Sequence, residues 1–252
     1  MPTHDPKKNV LVTRPVEQTA NLSALLKEAG FQPILYPAIG IFPAPNPGSA
    51  QQVLSNLPFY DYVIFISPNA ALQADMLLQQ KWPPLGATTL IAIGPKTATT
   101  LNQLGQAPLI IANKPFNSEA LLDQLPTPAK QLRCLIVKGQ GGRQFLADQL
   151  KKKGMHVSTL DAYSRGLPQP PQPLPTEAIH YVTITSQLAL DNLCQLIPEK
   201  IKNLQQQATF IFYSQRIANY ASQRGCHQCL VSHEASDAGL VLALLNAKKT
   251  DF

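Results

Sequence analysis

The sequence predicts an α/β protein with two parallel sheets, and three observations predict it. Short runs rich in β-branched and aromatic residues alternate with amphipathic helical stretches along the chain. Several of these runs, "YDYVIFIS" above all, are apolar without a polar alternate, the pattern of a strand covered on both faces. The whole arrangement then occurs a second time.

Taken in order, "VLVTRP" is a strand ending near Arg14. A helix follows over residues 16–29, with Leu22, Leu25 and Leu26 on one face and Gly30 as its C-terminal stop. "FQPILY" is the next strand, then "YDYVIFIS"; "TLIAIG" and "TFIFYS" have the same character. Helices begin at "SPNAALQ", "GPKTATTL" and "NSEALLDQL", each with Ser, Gly or Asn near the N-cap.

Two segments interrupt this rhythm. Residues 37–48 ("PAIGIFPAPNPG") and 165–175 ("RGLPQPPQPLP") concentrate the prolines of a chain that has 23. By composition they are surface loops or semi-rigid spacers. An internal repeat favours the second reading. "CLIVKGQGGRQFLADQLKKKGMHV" repeats the layout of "VLVTRPVEQTANLSALLKEAGFQP", "YVTITSQLALDNL" answers "YVIFISPNAALQADML", and "FIFYSQRIANYASQRG" answers "LIAIGPKTATTLNQLG". The offset is about 120 residues, a duplicated half-domain set and not a short solenoid repeat. Each proline segment follows the second strand of its repeat, so the chain can leave one domain there and return at the matching place. The expected organisation is a discontinuous α/β domain of residues 1–38 and 168–252, with a second α/β domain, 39–167, inserted in it.

The bulk numbers suit a folded chain: 252 residues, 44% hydrophobic and 14% charged. Lysine plus arginine exceed aspartate plus glutamate by 21 to 15, which favours an anionic partner. Nucleic acid is not the expected one, because no basic run exceeds Lys151, Lys152 and Lys153 and no aromatic-basic interleaving appears. No apolar span is long enough for a bilayer, and the start lacks the apolar core of a secretory signal. With only four cysteines, the expectation is a cytoplasmic protein with no membrane association. "CHQC" (Cys226 to Cys229) has no second cysteine pair to complete a zinc site, although His227 and His233 are near in sequence. It also follows a helix where a thioredoxin-type motif would open one, so a helix-to-strand turn is the plainer reading.

The stretch "LIVKGQGGRQFLADQL" joins an apolar run to a helix through a glycine loop, as phosphate-binding folds do. "KGQGG" lacks the third glycine of a dinucleotide fingerprint and the G-K-[ST] ending of a P-loop. A carboxylate cradle needs only exposed amides and a cation, both present. The loop reads as such a cradle.

The ordered set "LVTRP", "YDYVIFISPNAA", "IAIGPKTATTLNQLG", "NSEALLDQL", "VKGQGGRQFLADQLKKKGMHV" and "DAYSR" resembles the uroporphyrinogen-III synthase family over nearly the whole chain. In the last third "SQRIA" stands where the first repeat has "GPKTA", and Ser186, Gln187 and Leu188 replace its Ser-Pro-Asn. The resemblance implies two flavodoxin-like, doubly wound parallel-sheet domains joined by a two-strand hinge. It implies a cyclising hydro-lyase that takes hydroxymethylbilane, a linear tetrapyrrole with eight carboxylates, and closes it to uroporphyrinogen III. Ring A loses its hydroxyl as water, and ring D attacks through its substituted carbon and is inverted. Pyrrole nitrogens drive both steps, so neither a cofactor nor a metal is expected. Hydroxymethylbilane synthase is the implied upstream partner, and a monomer is the default.

Ligands of open α/β folds lie at the carboxyl ends of the strands, where helix N-termini hold anions. The substrate-binding candidates follow from that rule and from the resemblance: Arg14, Ser67, Asn69, Lys96, Thr97, Lys138, Gly139, Gly141, Arg143, Ser186 and Ser214. Arg14 can hold a carboxylate with two parallel hydrogen bonds, or pair with a helix as an ordinary surface arginine. Lys96 and Arg143 stand at helix starts, unfavourable for a cation unless an anion docks there; Arg165 and Arg216 are weaker candidates of the same kind. Ser67, Thr97 and Ser186 can hold ring substituents or merely cap helices. Tyr163 of "DAYSR" matches the family's hinge-adjacent tyrosine; its phenol can donate to a leaving hydroxyl, or its ring can simply fill the hinge. Domain closure is expected to exclude water from the reactive intermediate. The alternative function is a non-catalytic two-domain anion-binding sensor; a nucleotide-dependent enzyme is disfavoured by the incomplete glycine fingerprint.

Overall fold

The structure is a computed structural model that describes residues 8–142, 144–169 and 172–250. In chain order its elements begin with β1 (Asn9–Val12), α1 (Ala20–Glu28), β2 (Gln32–Leu35), β3 (Gly40–Pro43) and α2 (Pro47–Ser55). There follow β4 (Tyr62–Phe65), α3 (Pro68–Leu77), β5 (Thr89–Ala92), α4 (Pro95–Gln103), β6 (Ile110–Ile111) and α5 (Ser118–Gln124). The second half has β7 (Arg133–Gly139), α6 (Phe145–Lys152), β8 (His156–Gly166), β9 (Tyr181–Ile184) and α7 (Gln187–Leu196). It closes with α8 (Ile201–Gln207), β10 (Thr209–Phe212), α9 (Gln215–Gln223), β11 (Cys229–Val231) and α10 (Asp237–Thr250).

Two compact units form, one from Met1–Ile41 with Gly166–Phe252, the other from Phe42–Arg165. The first holds a five-stranded sheet in the order β11-β10-β9-β1-β2, parallel at each of its pairings. Read from β2, that is the 2-1-3-4-5 order of doubly wound, flavodoxin-like sheets. The six-stranded sheet of the second unit runs β3-β8-β7-β4-β5-β6; with β3 set aside this is 5-4-1-2-3 along the chain, and it becomes the order of the first sheet when each strand is numbered by its place in the repeat. Even the registers correspond: Leu11 faces Ile34 as Leu135 faces Ser158, and Leu11 faces Val182 as Leu135 faces Val63. The two repeats therefore exchange halves. Each unit takes its first two matching strands from one repeat and its last three from the other.

Burial follows strand alternation. In the first unit Val10 and Val12 pack with Leu22, Leu26 and Leu240 on one face, while Leu11 packs with Leu190, Leu193 and Phe210 on the other. In the second, Ile64, Ile91 and Ile136 pack under α5 and α6, whose Leu121, Leu146 and Leu150 are buried with them. On the opposite face α3 contacts β4 and β7, and α4 contacts β5. Among the described residues no helix is long and apolar enough to cross a membrane.

Two elements differ from expectation. The helix expected from residue 16 starts with a 3-10 turn at Val16–Gln18, and α1 proper begins at Ala20. Residues 37–48, expected as a spacer, supply β3 and open α2. Pro43 is tolerated because β3 lies at a sheet edge, and Pro47 because the first helical position has no N–H bond to lose.

Asn192 of α7 is 3% exposed and its amide donates to Ala38 O at 2.7 Å and Gly166 O at 3.1 Å. One side chain thereby holds both strand continuations next to the places where the chain passes between units. Asn192→Ala strands both carbonyls without a donor and is expected to cost about 2 kcal/mol, read as a lowered urea midpoint at unchanged slope.

Candidate active site

Parallel pairing brings the loops after β4, β5, β6, β7 and β8 to one edge of the second unit. Ser67 caps α3 there, its Oγ accepting from Ala70 N at 3.1 Å, and the same hydroxyl lies 3.2 Å from the Tyr163 phenol oxygen. Arg165 Nη2 donates to that phenol oxygen at 2.7 Å. Tyr163 is 1% exposed, so Ser67 and the exposed Arg165 are what cover its polar end.

Gly139 explains how the ring fits. The β7–β8 register shifts between Lys138 and Gly139, and Gln140 N donates to Tyr163 O at 2.7 Å. A Cβ at Gly139 would stand 2.6 Å from Tyr163 Cζ and 2.8 Å from Cε2. The phenol thus lies directly on the β7 backbone, a seat that requires glycine.

Lys138 and Arg14 occupy matching places in the two repeats, and both lose the free charge expected of them. Lys138 is buried, its ammonium donating to Asp161 Oδ1 at 2.6 Å and to Gly141 O at 3.1 Å. It ties down its own glycine loop. Arg14 is 5% exposed, with Nη1 on Asp237 Oδ1 at 2.5 Å and its guanidinium 4.9 Å from the Tyr213 ring centre. Asn21 Nδ2 and the Tyr213 hydroxyl also donate to Asp237, at 2.7 and 3.2 Å. Arg14 Nη2 is buried without a hydrogen-bond partner among the described residues. The physical reason is common to both: a cation at the end of an internal strand is enclosed by the next loops and must be neutralised there.

The other candidates divide by exposure. Lys96 is exposed in the first turn of α4, behind Gly94 at its N-cap, while Thr97 (2% exposed) and Asn69 (7%) face inward. Ile217 holds the place of Thr97 in the other repeat and is equally buried, which marks this as a packing position. Gly141 is exposed with φ +76°, and Arg143 lies outside the described residues. In the first unit Ser186 caps α7 through Ala189 N at 3.1 Å, as Ser67 does for α3. Ser214 stands at the N-cap of α9 but its hydroxyl makes no capping bond. The structure brings together Ser67, Gly139 and Tyr163 in one unit, and Arg14 with Asp237 in the other.

Beside Lys138 a cavity of about 230 Å³ is lined by Ile66, Ile93, Ile136, Ser118 and Gln144 among others. Small-molecule sites are usually larger, so it has room for a side arm and not for a large ligand. Burial pushes the Cys134 and Cys226 thiols up to about 12, which leaves both protonated and poor as nucleophiles. "CHQC" lies on the turn from α9 to β11. Among the described residues no three His, Cys, Asp or Glu side chains gather as a metal site would need.

Sequence reasoning missed Asp161, Asp237, Asn21 and Tyr213. Only the repeat carried a signal: Arg14 and Lys138 align after apolar runs, where a buried partner is required.

The profile of the family described as "Uroporphyrinogen-III synthase HemD" matches residues 20–241. Uroporphyrinogen-III synthase of Escherichia coli strain K12 is 28% identical over 258 residues, covering 94% of this chain and 99% of the relative. That of Salmonella typhimurium strain LT2 is 27% identical over 247 residues, with the same coverage. Among solved structures, uroporphyrinogen-III synthetase from Helicobacter pylori 26695 aligns with TM-score 0.62 at 14% identity, over 96% of this chain and 99% of that one. A mutant uroporphyrinogen III synthase from the extremely thermophilic bacterium Thermus thermophilus aligns with TM-score 0.58 at 16% identity and the same coverage. At such identities the structures establish the fold alone.

Asp237→Ala leaves the Arg14 guanidinium buried without its counter-charge and is expected to cost about 3–5 kcal/mol in urea unfolding. Replacing both, as Arg14→Met with Asp237→Leu, should recover much of that loss.

Proposed function

Because the chain belongs to the uroporphyrinogen-III synthase family, we propose that Tyr163 is the acid that assists departure of the ring A hydroxyl and that the strand-end loops hold the carboxylate arms of the substrate. The protein is an enzyme of porphyrin biosynthesis that closes hydroxymethylbilane to uroporphyrinogen III. The observation that carries the proposed assignment is the phenol at the carboxyl end of β8, seated on Gly139 with its oxygen between Ser67 and Arg165.

The phenol oxygen accepts from Arg165, so its own proton is directed elsewhere, to Ser67 or to a leaving hydroxyl. Arg165 is exposed and can turn to a substrate carboxylate, uncovering the phenol as the substrate arrives. Donation from Tyr163 carries the hydroxyl away as water. The pyrrole nitrogen lone pair supplies the electrons, ring D attacks the resulting electron-poor carbon, and the spiro intermediate reopens and closes with ring D inverted. Side chains have little else to do than hold the chain in a reactive shape.

Carboxylate binding falls in this reading to backbone N–H groups at the starts of α3, α4 and α7, because Arg14 and Lys138 are already paired with Asp237 and Asp161; the exposed Lys96 lies in the first turn of α4. Ser67 and Ser186 align those starts, Gly139 seats the Tyr163 ring, and the exposed Gly141 leaves the tip of the glycine loop open to approach. The finer setting in this reading is a cytoplasmic monomer that receives its labile substrate from hydroxymethylbilane synthase; the four free cysteines support the reducing compartment.

The test is incubation with fresh hydroxymethylbilane, oxidation and identification of the porphyrin isomer. Type III is expected; type I alone would leave a binding protein. Tyr163→Phe should lower kcat at least about tenfold with an unchanged thermal midpoint, and a wild-type rate would remove Tyr163 from the chemistry. Gly139→Ala should displace the ring and cost about 100-fold in kcat, with KM the lesser effect.

A further inference from the structure

We propose that Phe116 is a substrate-binding residue whose ring, seated over Gly94 at the carboxyl end of the six-stranded sheet, provides the apolar surface on which one pyrrole ring of the bilane lies. The inference rests on the synthase reading and adds to it a contact for the flat face of the substrate, which the anion-holding loops do not supply.

Phe116 has φ +59°, the left-handed region that favours glycine. The other described non-glycine residues with positive φ, Gln79 and Gln80, are polar and lie just beyond α3. A bulky aromatic residue held there is an unfavourable local choice, since glycine or asparagine would make the same turn without strain. The turn itself is well made: Phe116 N donates to Asn113 O at 2.7 Å, and the adjacent Asn117 caps α5 through Ala120 N at 2.9 Å.

Core packing does not account for the ring, because Phe116 remains 39% exposed. What it touches is the N-cap of α4. A Cβ at Gly94 would stand 3.1 Å from Phe116 Cβ and 3.6 Å from Cγ, so glycine at that cap is what admits the ring. Strain kept in order to present an exposed apolar ring on a ligand-binding edge points to recognition. The chemistry fits: a pyrrole is flat, and its acid arms lie at the periphery. A ring face beside the start of α4 offers stacking for the plane, and the N–H groups of α4 with Lys96 serve an arm of the same pyrrole.

The experiment compares Phe116→Gly and Phe116→Tyr with wild type by steady-state kinetics on hydroxymethylbilane, porphyrin isomer ratio and thermal midpoint. Phe116→Gly should raise KM about three- to tenfold and release more type I porphyrin, with kcat near wild type. Its thermal midpoint should be unchanged or higher, since glycine adopts φ +59° without cost. Phe116→Tyr, which keeps the ring face, should retain the wild-type KM. A wild-type KM in Phe116→Gly overturns the inference. So does a rise in KM that comes with a lowered thermal midpoint, the mark of a purely structural ring. Type I porphyrin alone from the wild-type chain would defeat the synthase reading, and this inference with it, before any variant is compared.

Discussion

A parallel strand can be followed by another only after the chain has crossed back over a face of the sheet, and both units obey that constraint at the pairings between their matching strands. The matching strands of a unit then end on the same edge, and the helices that follow begin there with their unpaired N–H groups outward. Ser67, Gly94, Phe116, Gly139 and Tyr163 belong to that edge in one unit, and Arg14, Ser186, Ser214 and Asp237 in the other. An anion at that edge would therefore meet backbone N–H groups first. This is why divergence between "GPKTA" and "SQRIA" leaves the helix start at the same place.

The most basic-looking positions illustrate how the site is divided between scaffold and ligand. Arg14 and Lys138 are equivalent in the repeats, and each is paired with an aspartate: Arg14 with the buried Asp237 from far along the chain, Lys138 with the partly exposed Asp161 on the neighbouring strand. The Arg14–Asp237 pair, buried on both sides, costs desolvation and returns it only through close geometry, and the Lys138 ammonium also holds Gly141 O, so both cations fix their surroundings. In the second unit the fixed loop is the one on which the Tyr163 ring rests.

Much of this was legible. The unbroken apolar runs marked β4, β5 and β10, because strands covered on both faces admit few polar residues. Ser67 and Asn117 were readable as caps since capping is local, satisfied by an N–H three residues on. The ordered motifs carried the family resemblance, and the repeat with its two proline segments carried the passage of the chain between domains; the strand registers that coincide between the two sheets have no local signature. Nor does Asn192, a polar residue inside an amphipathic helix until Ala38 and Gly166 are seen beside it.

By itself the sequence determined the α/β class, the positions of most helix starts, and the likeness to a tetrapyrrole-cyclising family, because these depend on periodicity and on neighbours a few residues apart. Tertiary structure alone decided which charges are spent internally, why Gly139 must lack a side chain, and where the phenol of Tyr163 points. Those outcomes depend on atoms brought within 4 Å of one another from distant segments, as Asp237 is to Arg14 and Ser67 to Tyr163.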